Sequence, residues 1–158
     1  MHEHSSDDNT PSRTIPAANQ RRAASWFDYG NLIVISLAGI PLLLAGSATG
    51  MTMILATAAA IIPIIFWFGG SMLLYALNKH HPNPKVGHYT QWAAYRFYAI
   101  TGSLIVIGTF FPSDIRYYQA FWAIAAAILI PWSIIDLRKI QRDDWRPLQV
   151  PAKSEEHE

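Results

Sequence analysis

Residues Met51–Leu77 read MTMILATAAAIIPIIFWFGGSMLLYAL, a stretch without a single charged side chain. A helix that crosses the roughly 30 Å hydrocarbon core of a bilayer needs about 20 apolar residues at 1.5 Å each. A surface helix of a soluble domain would show one polar face. This stretch shows none, so its reading decides the fold: a membrane-spanning helix.

Three further runs resemble it, and the spans fall at about 30–48, 51–77, 93–111 and 118–136. The expected fold is all-α, an integral membrane bundle of four transmembrane helices occupying residues 26–147. Residues 1–25 and 148–158 are polar and proline-broken and are expected to be disordered tails. The 158-residue chain is 15% charged, against about 25% in a typical soluble domain. Its net charge of +1 averages over a segregated pattern. No carboxylate lies between Asp28 and Asp114, and Lys79, Lys85 and Arg96 are the only bases there.

The bases set the orientation. Every Lys and Arg except Arg116 falls in the N-terminal tail, the 2–3 loop with the first turn of the third span, or the C-terminal tail. The positive-inside rule then places both termini in the cytoplasm, with the cell membrane, a bacterial inner membrane, as the location. Trp26, Tyr29, Tyr75, Trp92, Tyr95, Tyr118 and Trp122 sit where aromatic belts belong. Trp67 lies deeper and reads as packing or lipid-facing.

Composition excludes much chemistry. Without cysteine there are no disulfides, iron–sulfur clusters or thiolate metal sites. All six histidines lie outside the spans, which speaks against a membrane haem. No span holds an acid at depth, Asp136 standing at the very end of the fourth, which speaks against proton transfer through a buried carboxylate. The near-neutral charge speaks against nucleic-acid binding. No cofactor is expected.

The residues left to consider lie on the basic side. Lys79, Lys85, Arg96, Arg138, Lys139 and Arg142 are expected to contact anions or lipid headgroups, each favouring an anionic surface by about 1 kcal/mol. Arg96, inside the third span, is expected to snorkel or to pair with Asp28 or Asp136. His80, His81 and His88 are weak metal candidates, since adjacent histidines point apart and no carboxylate is near. Thr90 is expected to cap the third span. Pro41, Pro63 and Pro131 should kink their helices. Small-residue pairs such as Ala56 with Ala60 and Ala123 with Ala127 suit close helix packing.

These features imply a small multi-pass membrane protein without a catalytic site. It reads as an accessory or structural subunit, in contact with anionic lipid and with other membrane helices as a hetero- or homo-oligomer. The alternative is a homo-oligomeric channel or transporter whose proline-kinked helices line the path.

Overall fold

A computed structural model describes residues 12–110 and 114–151. The order is β1 (Ser12–Ile15), α1 (Ala17–Ala45), α2 (Gly50–Lys79), α3 (Pro84–Gly108), α4 (Ile115–Arg142) and β2 (Leu148–Pro151). The helices run up and down. α1 packs broadly on α2 and α4, whereas α2 and α4 barely meet. β1 and β2 pair antiparallel, with Ser12 opposite Pro151 and Ile15 opposite Leu148.

α1, α2 and α4 are each long and apolar enough to cross a membrane, as in a small membrane protein. α3 is not among them. Its first half carries Lys85, His88, Gln91 and Arg96, so only the dozen residues after Arg96 are free of charge, and Thr101 and Ser103 interrupt them.

The helices extend beyond the expected spans on one side. α1 begins at Ala17 and not near residue 30, and residues 12–25 and 148–151 are ordered. The expected tails over residues 1–11 and 152–158 lie outside the described residues. What orders the inner part is a partnered glutamine. Buried Gln20 donates through Nε2 to the carbonyls of Ile15 (2.9 Å) and Arg146 (3.0 Å) and accepts from Asn83 Nδ2 (2.5 Å). One side chain thus ties β1, the chain after α4 and the start of α3.

α3 likewise starts at Pro84, nine residues before the expected span. Asn83 is its N-cap, accepting from Lys85 N at 2.9 Å. Pro84 follows at the first helical position, where a missing N–H costs nothing. Thr90 is therefore not a cap. It lies buried inside α3 and accepts a 3.0 Å hydrogen bond from Asn78 of α2, whose amide also donates to the Ala23 carbonyl of α1.

Deeper in the bundle, aromatic rings fill notches. A Cβ at Gly30 would overlap the Trp67 ring, and one at Gly39 the Trp122 ring. Both indoles are pinned. Trp67 Nε1 donates to Asn31 Oδ1 at 2.9 Å and Trp122 Nε1 to the Ile35 carbonyl at 2.8 Å. Phe27, Phe97, Tyr98 and Phe68 continue the core by edge-on ring contacts. At the far end, Gly46 turns the chain with φ +56°, a conformation that suits glycine. Gln119 of α4 donates to the carbonyls of Leu42 and Gly46 (2.9 and 2.7 Å).

Candidate functional site

The charged side chains singled out above divide into two groups. Lys85 is not an unopposed cation. Its Nζ reaches Asp143 Oδ1 at 2.6 Å and the Asp144 carbonyl at 3.0 Å, above the Trp145 ring. Tyr89 OH donates to the other Asp143 oxygen at 3.2 Å. The Lys85 ammonium holds the Asp143 carboxyl below the usual carboxylate range. Burial, then the Asp143 charge, pushes the Tyr89 hydroxyl above its ordinary value. This cluster fastens the start of α3 to the end of α4. Lys79 lies over the Tyr75 ring, and Arg138 and Arg142 are exposed.

The second group is internal. Of the two carboxylates within reach of Arg96, the guanidinium bonds Asp136, through Nη2 to Oδ2. Asp136 is 5% exposed and also lies 3.5 Å from Lys139 Nζ. Asp28 stays apart. It is fully buried, its oxygens have no hydrogen-bond partner at normal distance, and the Ser133 hydroxyl stands beside it. Two carboxylates therefore sit inside the bundle, on α1 and α4. The expectation that none does is corrected. Both helices continue past the bounds that charge alone suggested, and the aspartates lie on their inward faces.

Around the Arg96–Asp136 pair runs a groove of about 600 Å³ between α3 and α4. His88, Tyr89, Trp92, Arg96, Ala99 and Ile100 line it from α3; Ile128, Trp132, Asp136 and Lys139 line it from α4. The Arg96 guanidinium lies 5.3 Å from the Trp132 ring centroid, in cation–π range. Trp92 and Trp132 were absent from the sequence-derived site. The signal was there in the spacing: His88, Trp92, Arg96 and Ile100 recur every fourth residue, as do Ile128, Trp132 and Asp136. That period lines up one face of each helix.

The histidines do not converge. His81 Nδ1 accepts from the Asn83 backbone N–H at 3.0 Å, His88 packs edge-on against Trp92, and His80 is exposed. Among the described residues no three His, Asp or Glu side chains are placed to share a metal ion. A second cleft, of about 330 Å³ and apolar, opens between α2 and the α3–α4 pair at the other end. Pro41, Pro63 and Pro131 sit within continuous helices and line neither space.

Compared with known protein families, characterised proteins and solved structures, the chain finds no match.

Proposed function

We propose that the protein is a non-catalytic, four-span membrane protein of the cell membrane that serves as an accessory subunit, packing α2 against helices of a partner. One observation carries this reading. α2 is apolar on every side, yet of its 30 residues only Ala60, Ser71 and Asn78 are buried. Gly69 and Gly70 on it have open space where a Cβ would stand, a surface that admits close approach of another helix.

The four-span part rests on parity. The β1–β2 pairing brings both ends of the helical path to one side of the bundle. If α1, α2 and α4 cross, both strands share a side only when α3 crosses as well. Pairing of Arg96 with Asp136 lowers the cost of its charge there. The distribution of bases supports placing the strand side in the cytoplasm.

The chain has no cysteine, so single cysteines report contacts cleanly. Met72→Cys and Leu73→Cys, both exposed on α2, should cross-link in native membranes to one partner of fixed mass. Leu44→Cys, exposed on α1, should not. No adduct from α2, or equal adducts from all three positions, sinks the proposal. An adduct of twice the chain mass would support the homo-oligomeric alternative instead.

A further inference from the structure

The groove between α3 and α4 is graded along its length. Lys139, His88, Tyr89 and the Arg96–Asp136 pair occupy one end, and Ala99, Ile100 and Ile128 the other. From His88 to Ile100 the axial rise is about 18 Å, and from Lys139 to Ile128 about 16 Å. On α4 Trp132 stands between Asp136 and Ile128, and on α3 Trp92 stands between His88 and Arg96; each is about half exposed. Indole rings favour the level where headgroups meet acyl chains. The groove thus passes from a charged end that includes both indoles to an apolar end.

The charge balance favours an anion. The lining carries two cations against one carboxylate, and Asp28, also within reach of Arg96, is buried outside it. Among the described residues the Arg96 guanidinium makes one hydrogen bond, from Nη2 to Asp136. A guanidinium has five N–H donors in a planar fork, so donors remain for a second acceptor. Lys139 holds Asp136 only at 3.5 Å and its side chain is 58% exposed, so it can turn toward a ligand at little cost.

We propose that this groove holds one anionic phospholipid, its phosphate beside Lys139 and Arg96 and an acyl chain along Ala99, Ile100 and Ile128. A soluble phosphate would satisfy the cations but leave the apolar half without purpose. The site rests on the membrane reading and needs no protein partner, so lipid retention and α2 cross-linking fail independently.

The test is native mass spectrometry of the full chain in detergent, titrated with phosphatidylglycerol or with phosphatidylcholine of the same acyl chains. Phosphatidylglycerol should be retained as a single adduct about fivefold better, the ratio that one headgroup charge contact supplies. Lys139→Ala should remove that preference, and Ile100→Trp, which fills the apolar end, should weaken retention of phosphatidylglycerol. Arg22→Ala, exposed on α1 and outside the groove, should leave it unchanged. A large excess of glycerol phosphate should not displace the lipid. The proposal is overturned by equal retention of the two lipids, by an equal loss in Arg22→Ala, or by displacement with glycerol phosphate.

Discussion

The two ends of the bundle are held by different physics. At the strand end, polar side chains reach across elements. Gln20 joins three segments, Asn78 spans two helices, and Lys85 with Tyr89 grips Asp143. At the opposite end, Gln119 bridges α4 to the end of α1, and an apolar cleft opens beside α2. Between them the fit depends on shape, a glycine under each indole. Where water is close, a hydrogen bond adds direction at modest net gain. Where lipid competes for every apolar surface, only close packing and a few interhelical hydrogen bonds discriminate. The strand end therefore defines position, and the other end leaves an apolar cleft between its helices.

The largest effect is expected where the two regimes meet. Arg96→Met leaves Asp136 buried beside a single, loosely held Lys139. Breaking a buried pair on one side costs about 3–5 kcal/mol, read as a lowered thermal midpoint in a fixed detergent. Arg96→Met combined with Asp136→Leu should recover most of it; failure to recover would mean that the pair does more than neutralise its own charges. Next comes shape. Gly30→Ala should cost about 1–3 kcal/mol as Trp67 is forced from its place. Gly69→Ala, with nothing nearby to displace, should be neutral or slightly stabilising in the isolated chain. Equal effects at the two glycines would refute the contrast between packed and open faces.

The smallest effect is expected at the strand end. Lys85→Met removes a partly exposed pair and should cost at most about 1 kcal/mol. Its pH dependence has a definite sign. The Asp143 carboxyl is lowered chiefly by its hydrogen bond from Lys85, so the pair's contribution is complete above the ordinary carboxylate value. It fades as pH falls through the lowered one. Unfolding curves of the wild type and Lys85→Met should differ by a constant amount from neutral pH to about pH 4 and converge below it. A difference that grows on acidification would show that another group controls this cluster.

How much of this was legible in the sequence depended on range. Four helices follow from four apolar runs, because each run reports its own local environment. Their true starts were obscured where polar residues occupy inward positions. Gln20 and Asp28 read as tail and flank, yet both are wholly buried, and only a partner far along the chain makes a buried glutamine affordable. The start of α3 was readable in principle from Asn83 followed by Pro84, a cap and a first-turn proline. The histidines beside it suggested a loop. The groove lay half in view as every-fourth-residue stripes on α3 and α4, but nothing local indicates that those stripes face each other. The four-residue strands carry no periodic signal long enough to announce a pairing across the whole chain.

That pairing also sets a clock. β1 leaves the ribosome ahead of all four helices, and β2 follows it after about 130 residues. At the usual speed of synthesis the first strand waits on the order of 10 s for its mate. During that wait its backbone groups have no strand to bond, while the helices enter and pack. Closure of the ribbon is thus among the last events of assembly. A chain that has it holds the start of α1 and the segment after α4 at one end of the bundle.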